Sequence, residues 1–418
     1  MSRTHDDGLM RLGRQANRRC KSMRRGMRRA ARVLWAVVLM SVASDAIASS
    51  DETLALVGGL LIDGTGSGPI EDGVVVIRGG RIVEAGAIGD VVVPGDCDVI
   101  DVSGSAILPG FVNAHVHDGY HEENLRAWAR GGVTTVRDLG VLHHWTRGST
   151  EDFALRDRLN SDSRNARLIA AGPLVTTVGG YGGYAVISAG DAREKIDELV
   201  DGGADVIKIA IEDNLQGRTW PLLAPDEVAA IVDTAHARGV VVSAHISRSE
   251  HVQAALDAGV DDVAHMAVDR VPPGLIEQMV KQGMVWVPTM ELWACVAERH
   301  DLDWWLAAAS MNLADFVASG GRVALGTDFA GYTCSFDLGM PMTEIGLMAD
   351  AGMTPMQIIV ASTRNGAMAC GLADELGTIE SDKIADVIVV DGNPLERIDA
   401  LRDVWLVVHN GEIIRNDP

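Results

Sequence analysis

The sequence predicts an α/β fold: a (β/α)8 TIM barrel joined to a composite β-sandwich made from both chain ends. Three observations predict it. Short apolar runs alternate with stretches of 3.6-residue period over 109–375, close to the roughly 250 residues such a barrel needs. Residues of metal-ligand type close several of these runs: His115 and His117 in PGFVNAHVH, Lys208 in ADVIKIA, His245 in VVVSAHI, His265 in VDDVAHM and Asp328 in VALGTDF. Ligands at the ends of successive strands converge only if the strands are parallel and closed, and the C-terminal mouth is where such a barrel gathers its chemistry. Finally, residues 51–108 and 376–418 share one character, with short β runs punctuated by Gly and Asp.

In chain order, residues 1–48 read as an export signal. An Arg-rich stretch runs to Arg32, an eleven-residue apolar run spans Val33–Ala43, and a small-x-small cleavage site ends at Ala48. The apolar run is shorter than the ~20 residues that cross a bilayer. No Cys follows it to carry a lipid, so the expectation is a periplasmic or secreted protein with no stable membrane anchor after cleavage. The β-rich segment includes LALVGGLLIDG and GVVVIRGGRIVEAG. Barrel strands are expected to end near His117, Asp138, Pro173, Lys208, His245, His265, Pro288 and Asp328. DEVAAIVDTAHARG and SEHVQAALDAGV have helical period, and each closes on a glycine. KIADVIVVDGNP and VWLVVHNGEII supply the closing β runs.

The 418 residues suffice for one large barrel and a smaller domain. Eleven of the Lys/Arg but only three of the Asp/Glu lie in the first fifty residues, so residues 51–418 carry 25 basic and 55 acidic residues, a net of −30. That acidity excludes nucleic acid and anionic membrane surfaces as partners. It leaves a small-molecule substrate as the expected partner and a homo-oligomer open. Cys97, Cys295, Cys334 and Cys370 have no metal-binding or redox spacing and are expected to be free, buried thiols.

Within PGFVNAHVH, alternation along a strand points His115 and His117 to one side, able to grip one cation. A lysine ending an apolar strand is unusual. Beside two dications its ammonium would be disfavoured and the neutral amine would dominate. His245 and His265 stand one strand–helix–strand step apart and offer imidazole nitrogen.

The order His-x-His, Lys, His, His, Asp resembles the binuclear metal centre of the amidohydrolase superfamily. IDGTG, GGRIVEAG and PGFVNAHVH resemble its entry segment, and KIADVIVVDGNP and HNGEII its exit segment. This resemblance implies two divalent metal ions, with zinc expected and manganese, iron or cobalt also suited. It further implies that Lys208 is carboxylated and bridges them. His115, His117 and Asp328 would then hold one metal, and His245 and His265 the other. Asp328 would also move the proton from an attacking water to the leaving group.

Mononuclear deaminases and imidazolonepropionase-type members lack the bridging lysine. The chain therefore looks more like the prolidase- and carboxypeptidase-like branch acting on dipeptides and N-acyl amino acids. It departs from that branch at Ser247, where a tyrosine is usual, and in GGYGGY, where a histidine is usual. Tyr181 in that loop is the candidate replacement for the missing phenol. A mononuclear deaminase or cyclic-amide hydrolase is the alternative reading. Lactones, carbamates and phosphotriesters are alternative substrates for the same chemistry, and a non-catalytic scaffold stands last. His121, Glu122, His143 and His144 follow the first and second strands and could line the pocket, with surface or loop positions the expected reading. Arg137-Asp138 is expected to brace the barrel. TWPLLAPDE and Trp293 are expected at the rim or lid, and Trp304-Trp305 in the core.

Overall fold

The computed structural model describes residues 53–140, 150–215 and 217–417. The expected export signal, residues 1–48, and His143 and His144 lie outside the described residues. Five strands open the described chain: β1 (Thr53–Leu61), β2 (Ile70–Arg78), β3 (Arg81–Ala87), β4 (Asp98–Asp101) and β5 (Ser105–Pro109). A central set follows, with β6 (Phe111–Val116), β7 (Val133–Asp138), β8 (Arg167–Ala170), β9 (Val175–Thr177), β10 (Tyr184–Val186) and β11 (Val206–Ala210). It continues through β12 (Asn214–Leu215), β13 (Arg218–Thr219), β14 (Val241–His245), β15 (Asp262–Ala264), β16 (Val285–Val287) and β17 (Arg322–Val323). Three strands close the chain: β18 (Val387–Asp391), β19 (Val404–His409) and β20 (Glu412–Asn416).

The two chain ends share one sheet, in the order β20-β19-β18-β5-β1-β2-β3, with β4 paired to β1. The join is the antiparallel β5·β18 pair, which sets Ile107 opposite Val389. Successive residues of β5 face opposite sides, so a single strand serves two cores. Ile107 packs with Leu56, Val75 and Val389, whereas Ala106 and Leu108 join the main core with Phe111 and Trp128.

The central set is α/β with parallel sheets. β6-β7-β8 pair in parallel, as do β10-β9-β11-β14-β15-β16-β17. All five residues of β11, VIKIA, are buried, as expected where both faces of a parallel strand are covered. Backbone bonds continue past the named strands. Asp205 N donates to Ala170 O (3.0 Å) between β8 and β11. Ala114 N to Leu325 O (2.8 Å) and His117 N to Phe329 O (2.8 Å) tie β6 to the segment after β17. The two helical segments read from period form at Pro225–Ala237 and Ser249–Asp257. Gly239 and Gly259 follow them at φ +72° and +78°, the left-handed turn that ends a helix.

Several strands stop before the residue expected to close them. His117 lies one residue past β6 and His265 one past β15, while β17 covers only Arg322–Val323. The backbone leaves the ladder to present these side chains: His265 has φ +73° and Asp328 φ +62°. Such left-handed positions cost of order 1–3 kcal/mol each for residues other than glycine, and they collect at functional sites.

Two expectations need correction. Cys295 and Cys334 are joined in a disulfide with Cα atoms 6.2 Å apart, leaving Cys97, only half-buried, and Cys370, buried, as the free thiols among the described residues. The helix Met290–His300 after β16 and the loop after Asp328 meet, so cysteines 39 residues apart become neighbours. Trp305 is buried, but Trp304 is 60% exposed, because adjacent positions of the helix Asp303–Ala318 point about 100° apart.

Glu344 anchors the start of the helix Met290–His300, accepting from Met290 N (3.0 Å) and Glu291 N (2.7 Å). Burial pushes its carboxyl up to about 8 against these two bonds, and burial likewise raises Glu291 to about 7. An unfolded glutamate titrates near 4.5, so between that value and 8 the folded chain keeps a proton that the unfolded chain has lost. Raising the pH through this window therefore lowers stability. Thermal unfolding followed from pH ~5 to ~8.5 should show Tm falling with pH, with a shallower fall in Glu344→Gln. Parallel slopes for the two proteins would refute this account.

Candidate metal centre

The six ligand-type residues come together at one end of the parallel strands. His115 Nε2 lies 3.1 Å and His117 Nε2 3.0 Å from the same oxygen, Asp328 Oδ1. His265 packs against both His115 (ring centroids 4.9 Å apart) and His245 (4.7 Å). All are buried, with Lys208 among them on the same pocket wall. His115, His265 and Asp328 each offer a ligand atom within 4.8 Å of the others, close enough to hold one ion. Gly331 leaves the room this needs, because a Cβ there would collide with the Asp328 carboxylate.

Neighbours fix which nitrogen each histidine presents. His117 Nδ1 meets Gly140 O, a pure acceptor, so Nδ1 carries a proton and Nε2 is the nitrogen turned toward Asp328. His265 Nδ1 bonds Thr289 Oγ1 at 2.8 Å, which turns its Nε2 toward the site. His245 is arranged the other way round. Its Nε2 faces the Glu212 carboxylate at 3.3 Å, leaving Nδ1 as the ligand atom. Burial lowers the pKa of His115, His245 and His265, so these are the neutral imidazoles a metal requires. Burial opposes the charge of Asp328, yet bonds from His115 and His117 hold its carboxyl well below the usual range.

Lys208 Nζ is buried with no hydrogen-bond partner among the described residues, and so is His115 Nδ1. Burial, aided by the Arg137 charge, brings the Lys208 ammonium down to about 7 even though Asp262 and Asp328 favour its charge. An orphaned amine poised to lose its proton among four imidazoles and a carboxylate fits a carbamate-bridged metal pair. No described residue satisfies it.

The pocket is about 330 Å³, large enough for a dipeptide-sized ligand. Tyr181, in the loop between β9 and β10, stacks on His245 (4.4 Å, 24°) and meets Trp220 edge-on (5.1 Å). Burial, with the charges of Asp328 and Glu212, raises its phenol, so it stays a protonated donor. Ser247 is buried, its N–H facing His251 Nδ1. Trp293 reaches the wall, as does Trp220 of TWPLLAPDE. His121 and Glu122 are exposed at the start of the helix Glu122–Arg130 and are not among the pocket residues. Arg137 is wholly buried, bonded to Asp262 Oδ2 (2.7 Å) and Oδ1 (3.0 Å), Ala114 O and Ala369 O. The Asp138 carboxylate accepts from Gly119 N and Gly140 N.

Glu212 was not singled out from the sequence. The available signal was its position four residues after Lys208, where an acid just past the end of a buried strand needs a partner inside the protein.

Residues 106–414 match the model of the amidohydrolase family. Ochratoxinase of Aspergillus niger is 25% identical over 87% of this chain and 86% of its own length. Imidazolonepropionase of Clostridium tetani is 26% identical over 77% of this chain and 85% of its own. Among solved structures, a Xaa-Pro dipeptidase with methionine bound in its active site superposes with a TM-score of 0.77 and 26% identity, over 87% of this chain and 100% of that one. The chain belongs to the amidohydrolase family, a hydrolase acting on carbon–nitrogen bonds.

Proposed function

We propose that this protein is an exported, binuclear metal-dependent amidohydrolase that cleaves the amide bond of a dipeptide or N-acyl amino acid. The observation that carries the reading is the buried, unpartnered Lys208 amine amid His115, His117, His245, His265 and Asp328. The amide-hydrolysing relatives, a Xaa-Pro dipeptidase and ochratoxinase among them, support the bond type. The bonds from β6 to the segment after β17 support a closed (β/α)8 barrel, and the shared terminal sheet supports one composite β-domain from residues 51–108 and 376–418. The Cys295–Cys334 disulfide supports an oxidising, periplasmic or extracellular location.

In this reading His115, His117 and Asp328 would hold one divalent ion and His245 and His265 the other, with Lys208, once carboxylated, offering an oxygen ligand to each. Zinc suits the donor set, as do manganese, iron and cobalt. When bound, the pair acidifies a water and polarises the scissile carbonyl. Asp328 accepts the proton at its carboxylate and returns it to the departing nitrogen. Tyr181 donates its phenolic proton in a hydrogen bond toward the oxygen that gains charge.

The test is elemental analysis of protein prepared without chelator, followed by assay against dipeptides, N-acyl amino acids, lactones and carbamates. About two metal equivalents per protomer are expected, with amides cleaved and activity lost on chelation. One equivalent would move the search to deamination and cyclic-amide opening. Chelation-insensitive turnover, or none on amides at full metal occupancy, would overturn the proposal.

A further inference from the structure

The pocket has one permanently charged cationic side chain among its described lining residues, the exposed Arg218, and no described residue neutralises it. Arg218 begins β13, the return strand of a small hairpin in which Asn214 pairs with Thr219 and Leu215 with Arg218. The hairpin springs from the end of β11, the strand that carries Lys208. Its base is closed by Trp220 N donating to Asp213 O at 2.8 Å. Trp220 meets Tyr181 edge-on, and Tyr181 stacks on His245, so two ring contacts tie the hairpin to the metal-ligand cluster.

Several other arginines are engaged. Arg137 holds Asp262, Arg156 holds Asp205, Arg167 holds Asp386 and Arg270 holds Asp315. Arg218 makes no side-chain hydrogen bond or ion pair with any described residue, although the chain around it is strongly acidic. Among the described lining residues the one acid, Asp328, is already held by His115 and His117. The pocket that Arg218 lines has an apolar and aromatic share of wall, with Leu215, Trp220, Leu292 and Tyr332. A charge left unmatched beside such a surface is a place for an anion. A single guanidinium fork fits a single carboxylate through two parallel N–H···O bonds.

We propose that Arg218 determines specificity here: it takes the free carboxylate of an N-acyl amino acid or dipeptide in a bidentate grip while the scissile amide lies among the histidines. The proposal rests on the amidohydrolase reading above and narrows it. Substrates are selected for a free carboxylate on the half facing the hairpin, with the apolar wall taking their hydrocarbon part. A carboxamide or an amine at the same place leaves the arginine unpaired.

The test separates binding from turnover. An N-arylsulfonyl amino acid keeps the shape of the substrate without a hydrolysable amide. Its affinity and that of its carboxamide are measured on the metal-loaded protein through quenching of tryptophan fluorescence. Wild type should bind the acid about 10–100-fold more tightly than the carboxamide, the scale of a charge-assisted bond pair. Arg218→Ala should erase that preference by weakening the acid alone, and Arg218→Lys should restore part of it. In turnover of a matched N-acyl amino acid and its carboxamide, the loss in Arg218→Ala should fall mainly on KM. Equal affinities in wild type, or an undiminished preference in Arg218→Ala, would overturn the role of Arg218. Acid-selective binding that depends on Arg218, without hydrolysis of any free-acid amide, would instead sink the proposed reaction and leave the carboxylate site standing.

Discussion

Replacing Lys208 with alanine is expected to reduce bound metal from about two equivalents to one or fewer and to lower kcat/KM by about 10³-fold or more, the scale of losing a metal's charge stabilisation. The expectation follows from where Nζ sits. It is buried, has no hydrogen-bond partner among the described residues and lies on the wall with all the other ligand residues. A fixed ammonium there would repel cations, whereas a carbamate formed on the neutral amine would add negative charge and two oxygen ligands between them. Lys208→Met, which keeps the apolar stem, should lose metal and activity as Lys208→Ala does. Only the alanine variant leaves space for a short carboxylate such as propionate to enter and recover part of both. Thermal unfolding of the metal-free proteins provides the control: removing an unpaired buried amine should not destabilise the apo form. A variant that keeps two metals and its activity would show that the lysine is no bridge.

The sequence makes some of this architecture easy to read and hides the rest, for physical reasons. Parallel strands covered on both faces must be continuously apolar, so VIKIA and its neighbours stand out, and so does any polar residue that closes them. That is why His115, His245 and Asp328 are visible from pattern alone, and why the family and its hydrolytic class are legible. Strand ends are not, since a run such as VALGTD continues to look like strand while Asp328 turns to φ +62°. Partners chosen across the fold are hidden more deeply. The tautomer of His245 is set by Glu212, an acid on another strand's end, and no spacing between residues 212 and 245 announces the contact. Cys295 and Cys334 meet because the helix Met290–His300 and the loop after Asp328 converge, which neither local sequence encodes. Trp304 and Trp305 are identical neighbours whose fates differ only through the phase of their helix.

Removing the carboxylate of Asp262 should destabilise the protein more than any substitution on the pocket wall. Asp262 lies in β15, and with Ala114 O and Ala369 O it satisfies the fully buried Arg137 guanidinium. Asp262→Ala strands that charge in the interior, a change that typically costs about 3–5 kcal/mol. Ser243, whose hydroxyl bonds Asp262 Oδ1 at 2.7 Å, loses its partner at the same time. Arg137→Met should cost less, because it leaves a carboxylate that can take up a proton rather than a guanidinium that cannot. The pair Arg137→Met with Asp262→Leu removes both charges and their desolvation together, so its loss should fall well short of the two single losses added. Denaturant unfolding of the four proteins measures this coupling. The bond from Arg137 Nε to Ala114 O holds the residue just before His115, so the single variants should also bind metal less tightly than the wild type. Additive losses, or a stable Asp262→Ala protein with full metal affinity, would show that the buried pair neither braces the strands nor positions the ligands above it.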